Sequence, residues 1–374
     1  MATATRYCFL TEYFDNMAGL VRQYQLYFYP EDNSLEIHDI KNKKVFLKKM
    51  VYPDLTIKDL YLGSDINIHS RKMRVVEYGD AFTRKKFQET RSSTYGMIKP
   101  DAYMSIGKII DMIYNTGGFT ISKLKMTRFS QDDAAEFYQE HQGKPFYPSL
   151  MNFMTSDLIV GMELVHKDAV KSWRNFIGPT NSISARQSAP NSIRANFGTD
   201  GSKNAVHGSD SDTSATRELN LVFGGNVKSQ PISNNCSCLV IKPHAIVEGN
   251  AGKIIDIVLS EGFEISCMEM FYLDKTSAEE FFEVYKGVLP EYAAIIEQMT
   301  TGPIIAMEVR QENVVNSLRS LCGPHDPEIA KTLRPTTIRS LFGRDRVKNA
   351  VHCTDLSEDG ALEVQYFFEL LQGK

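Results

Sequence analysis

Long apolar runs are missing from this chain. Nothing in it approaches the roughly 18 consecutive apolar residues of a membrane-spanning helix, and Met1 to Leu10 holds no apolar leader core. A dominant charge is missing too: 42 Lys and Arg stand against 46 Asp and Glu, a net charge of −4, which excludes binding of nucleic acid through bulk positive charge. Cysteine is sparse. The six (Cys8, Cys236, Cys238, Cys267, Cys322, Cys353) show no paired zinc-ligand spacing beyond the isolated Cys236-Ser237-Cys238, so neither a disulfide framework nor a zinc module is expected. Also absent is any Gly-x-x-x-x-Gly-Lys-Ser/Thr segment, the loop that wraps phosphates in the common ATPases. With 374 residues there is room for two or three cores, and the expectation is a soluble intracellular protein.

What the chain does have is an echo. Asn204-Ala205-Val206-His207 returns as Asn349-Ala350-Val351-His352, and Arg174, Arg194 and Glu218 return 145 positions later as Arg319, Arg339 and Glu363. Upstream, Ile98-Lys99-Pro100 is matched by Ile241-Lys242-Pro243, and Gly107-Lys108-Ile109-Ile110-Asp111 by Gly252-Lys253-Ile254-Ile255-Asp256. A repeat of core residues alone would preserve apolar positions, whereas this one preserves Lys, Arg, Asn and His. Two copies of a phosphate-handling site is the simplest reading.

Roughly the first 90 residues lie outside the repeat. They read as short β segments at 6–13, 20–29, 34–39, 45–47, 66–68 and 73–78, separated by turn residues such as Pro30-Glu31-Asp32-Asn33, which suits a small antiparallel barrel or sandwich. Each repeat reads as mixed α/β. In the first, a strand at 95–99 leads to an amphipathic helix at 106–116 that Gly117-Gly118 ends, then a strand at 119–129 and a helix opened by Ser130. A helix at 148–155, a buried strand at 158–165 and a helix at 168–177 follow, an order that fits a ferredoxin-like antiparallel sheet with helices on it. The segment 224–231 is polar and contains glycine, as a linker would. The expected domains are 1–90, 91–225 and 236–374, with 226–235 as linker.

Moving a phosphoryl group requires fixed cations around it, and Lys99, Arg174 and Arg194 are the candidates. It also requires a nucleophile. With no phosphate-cradling loop, that leaves His207, whose neutral imidazole can attack phosphorus and split the transfer into two half-reactions. The other ring nitrogen then needs an acceptor, and Glu218 in the helical stretch 213–223 suits it. Ser209 and Asp210 are expected at the start of that helix, where a hydroxyl and free N–H groups meet phosphate. Asn204 can bond a ribose hydroxyl.

These residues resemble the nucleoside diphosphate kinase family. The resemblance rests on Ile98-Lys99-Pro100-Asp101, Pro145-Phe146-Tyr147, Ser192-Ile193-Arg194 and Asn204-Ala205-Val206-His207-Gly208-Ser209-Asp210, and covers about 94–223 and again 238–370. It implies that His207 is the phosphorylated histidine and Glu218 its orienting carboxylate. Lys99, Arg174, Thr180 and Arg194 would contact phosphate, Asn204 and Lys99 would reach the ribose, Tyr138 would steer the histidine, and Phe146 would stack on the base. It also implies Mg²⁺ held mainly by the nucleotide phosphates, with no dedicated protein metal cage.

The second copy keeps Lys242, Arg319, Arg339, Asn349, His352 and Glu363 but departs elsewhere. Thr180 becomes His325, Tyr138 becomes Phe282, Asp101 becomes His244, Ser209 becomes Thr354, and Gly208 becomes Cys353 with an expected loss of backbone freedom. This copy is expected to bind nucleotide but to be degenerate as a catalyst. In the leading segment, Phe28 to Ile37, Phe46-Leu47-Lys48-Lys49 and Gly79-Asp80-Ala81-Phe82-Thr83 resemble the DM-ten domain, which implies a pleckstrin-homology-like β fold found in axonemal proteins. One such domain ahead of two kinase domains is the layout of one nucleoside diphosphate kinase subfamily. That layout implies association with tubulin in axonemal doublets and with γ-tubulin complexes, and so a place in the cytoplasm, the cytoskeleton and the axoneme of a cilium or flagellum. Two readings stand: a phosphotransferase working through His207, or a mainly structural microtubule inner protein with little catalytic role. The tandem copies are expected to pair as an intrachain pseudo-dimer.

Overall fold

The computed structural model describes residues 5–15, 18–53, 55–61, 63–88, 92–225 and 227–372. The expected boundary near 90 falls at 89–91, outside the described residues, as does Asn226 of the expected linker. The chain separates into two compact units, Met1–Arg91 with Phe271–Ile304, and Ser92–Met270 with Ile305–Lys374.

Alternation of apolar and polar residues builds the first unit. Strands β1 (Tyr7–Asp15), β2 (Leu20–Tyr29), β3 (Ser34–Asp39), β4 (Lys44–Val51), β5 (Asp65–Ile68) and β6 (Arg71–Tyr78) form one sheet in the order β4-β3-β2-β1-β6-β5. One face carries Phe9, Leu26, Phe28, Leu35, Ile37 and Met73, all buried. A helix over Ala81–Gln88, not expected from the sequence, closes that face with Phe87, whose ring lies 5.4 Å from Phe9 and 4.9 Å from Tyr7. The segment 271–304 belongs here by contact: Asn67 Nδ2 donates to Leu273 O at 3.2 Å, and the Ser70 and Thr300 hydroxyls lie 3.3 Å apart.

The second unit holds the repeat apart from the segment 271–304 of its second copy. Strands β7 (Ser92–Ile98), β8 (Thr120–Thr127), β9 (Ile159–His166) and β10 (Val206–Gly208) come from the first copy, and β11 (Cys236–Ile241), β12 (Glu264–Phe271), β13 (Ile304–Arg310) and β14 (Val351–Cys353) from the second. They make one eight-stranded sheet in the order β10-β7-β9-β8-β12-β13-β11-β14, whose two halves mirror each other. The seam is the antiparallel pairing of β8 with β12, where Lys125 faces Glu269. Phe119, Ile121 and Ser122 recur as Phe263, Ile265 and Ser266, so Glu269 is Lys125's own counterpart in the repeat. In a symmetric dimer of identical chains such a position would oppose like to like. Here divergence has made it an ion pair at 3.4 Å, with side chains only 10% and 13% exposed. Burying a lone charge there would cost far more than the pair does.

The linker is strapped across this seam. Lys125 Nζ donates to Val227 O at 3.2 Å, Thr127 Oγ1 to Lys228 O at 2.9 Å and Ser229 Oγ to Glu269 Oε2 at 2.7 Å, while buried Glu308 accepts the backbone N–H groups of Ile232 and Ser233. A second contact joins the copies through the repeated Gly-Lys-Ile-Ile-Asp segment. A Cβ on Gly107 would collide with the backbone of Asp256, and one on Gly252 with the backbone of Asp111. Backbone cannot move aside as a side-chain tip can, so Gly107→Ala is expected to cost about 2–3 kcal/mol. The check is a denaturant melt, and an unchanged midpoint would show that the helices do not need this closeness.

Candidate functional site

His207 sits in the middle of β10, paired with Met97 of β7. The chain enters that strand through Ala205 at φ 67°, a left-handed conformation that costs an alanine about 1–2 kcal/mol. Asp101 Oδ2 offsets the cost by accepting Ala205 N–H at 3.0 Å. The His207 carbonyl accepts Trp173 Nε1–H at 3.1 Å, and its ring lies 5.1 Å from Phe137 and 6.3 Å, nearly perpendicular, from Tyr138. The backbone and the faces of the imidazole are therefore fixed before any ligand arrives.

The ring's Nε2 lies 2.9 Å from Glu218 Oε2, on the helix Asp212–Phe223. The same oxygen accepts the Ser209 hydroxyl at 2.7 Å. A carboxylate accepting at Nε2 keeps the proton there and leaves the Nδ1 lone pair for attack. The His207 side chain is 21% exposed and that of Glu218 only 5%, so the nucleophile is reachable and its support is dry.

The cations converge on the same short strand. Lys99 N–H donates to Ala205 O at 2.8 Å, and its Nζ donates to Asn204 Oδ1 at 2.8 Å and Ser202 O at 3.3 Å. Arg194, from the helix Ile193–Phe197, donates to Gly178 O at 2.9 Å and Val206 O at 3.1 Å, while its buried Nε has no partner among the described residues. Burial, with Arg194 close by, brings the Lys99 ammonium down to about 8. Burial beside Arg174 brings Arg194 down to about 10. Two cations held below their ordinary values by burial and by a neighbouring arginine are a site that an anion would relieve.

The second copy repeats this frame with altered contents. His352 Nε2 lies 3.0 Å from Glu363 Oε2, Thr354 Oγ1 donates to the same oxygen at 2.8 Å, and Ala350 again stands at φ 71°. His244 replaces Asp101 and does the same work: its Nε2 accepts Ala350 N–H at 3.2 Å, and burial pushes its pKa down to about 3, leaving the ring neutral. The loss of that carboxylate tells on Lys242, which burial and Arg339 bring down to about 7. Lys242 Nζ donates to Val347 O, while Asn349 Oδ1, the counterpart of the oxygen that holds Lys99, lacks a partner among the described residues. Arg319 is bound to Asp355 at 2.5 Å. The His352 side chain is 7% exposed.

Several expected roles look different in three dimensions. Ser209 and Asp210 do not open the helix; Ser211 caps it, and the Ser209 hydroxyl turns inward to Glu218. Tyr138 presents its ring edge to His207, and its buried hydroxyl has no partner among the described residues. Asn204 is 1% exposed, with its amide committed to Lys99, Thr180 O and Gly201 O. Thr180 enters through that backbone carbonyl. Arg174 lies in the last turn of the helix Ala169–Ile177, and Phe146 is half exposed with its edge to His141 at 5.6 Å. Gly208 does not use a left-handed backbone; a Cβ there would strike the Trp173 indole, so the requirement is space. Trp173, Phe137 and Asp101 had no role assigned from the sequence. Asp101 stood in the Ile98-Lys99-Pro100-Asp101 signature without a task, and for Trp173 the one available signal was that it is the chain's single tryptophan.

A ferredoxin-like sheet carrying a carboxylate-held histidine among buried cations defines a phosphotransferase of one kind. The chain belongs to the nucleoside diphosphate kinase family, whose profile matches residues 92–227 and 235–372. Residues 1–89 match the family description "Nucleoside diphosphate kinase 7 N-terminal PH domain". Among its relatives, "Nucleoside diphosphate kinase homolog 7" of Rattus norvegicus is 47% identical over 370 residues, 98% of this chain and 93% of that protein. The homolog 7 of Mus musculus is 46% identical over the same length, and the "Nucleoside diphosphate kinase" of Aquifex aeolicus is 48% identical over 131 residues, 34% of this chain and 92% of that one.

Proposed function

We propose that this chain transfers the γ-phosphate of ATP to nucleoside diphosphates through a phosphohistidine at His207, with the second copy degenerate as a catalyst. The observation that carries the proposal is the Nε2–Glu218 bond, which commits one ring nitrogen and frees Nδ1 of a reachable imidazole. Nδ1 attacks phosphorus, an N–P bond forms as the bond to the β-phosphate oxygen breaks, and ADP leaves. The reverse sequence with a nucleoside diphosphate regenerates the histidine. Lys99, Arg174 and Arg194 meet the phosphate charge, and Glu218 supports the ring as it gains positive charge.

Among the described residues no group of three or more His, Cys, Asp or Glu gathers to hold a metal. The donor set here is cationic, which fits a Mg²⁺ carried in on the nucleotide phosphates, where it would neutralise charge on the group in transit. The test is incubation of the full-length protein with γ-labelled ATP and Mg²⁺, followed by detection of an acid-labile label on His207 and its transfer to GDP.

The lysines set a pH signature. Phosphate binding needs the ammonium, so affinity is full below the lysine's pKa in the free site and falls as pH rises through it. For the first copy that fall begins near 8, and for the second near 7. ADP titration by calorimetry is expected to show two sites that separate as pH rises, the weaker fading first. A pH-independent affinity between 6 and 9, roughly the window those values span, would refute the assignment of both lysines.

A second reading rests on the leading β domain and on the altered second copy. The domain's resemblance to axonemal modules supports placement on tubulin or doublet proteins in a cilium or flagellum, with the kinase folds as binding surfaces and γ-tubulin complexes as further partners. The segment 271–304 corresponds to the part of the first copy that carries Tyr138 and Phe146, and in the second copy it is bound within the N-terminal unit. Such a commitment fits a copy given over to assembly. Failure of the chain to co-sediment with microtubules or axonemal fractions would remove this reading and leave the enzymatic one standing.

A further inference from the structure

Glu218 has two oxygens, and the contacts above use only one. Oε2 takes both the His207 and the Ser209 bonds. Oε1 faces Arg217, whose guanidinium stands 4.0 Å away and reaches on to Glu140 Oε1 at 3.0 Å. Arg217 is 30% exposed, so it lies at the border between water and the dry carboxylate.

The repeat supplies a comparison. Glu218 and Glu363 set one register and place Leu362 where Arg217 stands; Tyr138 and Phe282 set the other and place Val284 where Glu140 stands. Both replacements are exposed, at 62% and 70%. An aliphatic side chain in water gains nothing from burial, so packing does not explain the exchange. Both members of the ion pair are gone together, in the copy whose catalytic set is otherwise most altered.

We propose that Arg217, anchored by Glu140, is a positioning residue for the phosphotransfer described above, holding the Glu218 carboxylate turned so that Oε2 meets Nε2–H. A carboxylate 5% exposed is costly without a compensating cation. Its rotation about the side chain must also be fixed if one oxygen is to serve two donors. Arg217 supplies the charge at the idle oxygen, and Glu140 keeps the long arginine side chain from wandering into solvent. Glu140 belongs to the turn Gln139–His141, next to Tyr138, so the pair also ties the carboxylate's helix to the segment that flanks the histidine ring.

This inference rests on His207 being the nucleophile, and the test separates the two. Full-length wild type, Arg217→Leu, Arg217→Lys and Glu140→Val are mixed with γ-labelled ATP and Mg²⁺, quenched rapidly, and the His207 peptide quantified across ATP concentrations. Arg217→Leu is expected to slow labelling at saturating ATP about tenfold, about 1.4 kcal/mol, with the half-saturating concentration changed less than about twofold. Arg217→Lys keeps the charge and recovers most of the rate, and Glu140→Val falls between. Leucine is borne at this position in the second copy, and should Arg217→Leu not fold, the other two variants carry the comparison. An unchanged rate in Arg217→Leu, a loss confined to half-saturation, or a lysine variant as slow as the leucine one would overturn the proposal. No label on wild-type His207 would instead overturn the reading on which it depends.

Discussion

His207→Ala is expected to abolish phosphoryl transfer to GDP, by on the order of 10³-fold or more, as loss of a covalent nucleophile does. His352→Ala is expected to leave the rate within about twofold, since the second site contributes little turnover on this reading. The two histidines share their bond to a glutamate, at 2.9 and 3.0 Å, so that bond cannot distinguish them. What distinguishes them is what surrounds the free nitrogen. His207 is three times as exposed as His352. Lys99 is locked to Asn204, whereas the matching oxygen of Asn349 holds nothing among the described residues. Arg319 already spends its charge on Asp355. The measurement is coupled turnover together with the acid-labile label on each histidine peptide. Loss in His352→Ala with retention in His207→Ala would reverse the assignment of the copies, and no label in folded wild type would move the weight to the structural reading.

The sequence discloses local chemistry well. Ser130 caps its helix with Asp133 returning the bond, as the pattern Ser-x-x-Asp implies. Strands β2 and β3 end where their turn residues stop them. It discloses less where four equivalent groups compete: in Ser209-Asp210-Ser211-Asp212 each residue is a competent cap, and only packing around Glu218 decides that Ser209 turns inward and Ser211 caps. The helix Ala81–Gln88 escaped notice because its apolar content is slight, and it is held through Phe87 against rings distant in sequence. At the seam, the meaning of Lys125 and Glu269 appears only when β8 is laid beside β12, for each alone reads as an ordinary strand charge. The repeated Lys, Arg, Asn and His were legible for the opposite reason: they are costly to bury, and in-register repetition of costly residues marks a shared chemical demand.

Gly208→Cys, the exchange that the second copy has made, is expected to destabilise the first copy by about 2 kcal/mol and to slow transfer as well. A Cβ at Gly208 meets Trp173 Cδ1 and Nε1 and the Ile177 side chain, so the indole must move, and its N–H is what holds the His207 carbonyl. In the second copy the matching residues are Leu318 and Cys322, smaller than tryptophan and isoleucine, and both are fully buried. Room vacated by the indole is filled by Cys353, which is buried beside the Cys322 thiol with its sulfur 3.7 Å from Arg339 Nη2. The three positions have therefore changed as one packing unit. Trp173→Leu with Ile177→Cys alone would leave a cavity costing about 3 kcal/mol or more. Adding Gly208→Cys is expected to recover part of that, a coupling of at least about 1 kcal/mol between the two changes. Denaturant melts of the three variants read that coupling, and simple additivity would show that the copies diverged at these positions independently. Recovered stability without recovered transfer is the expected companion result, because the refilled space contains no N–H to hold the His207 carbonyl, and that distinction separates what the tryptophan does for the fold from what it does for the histidine.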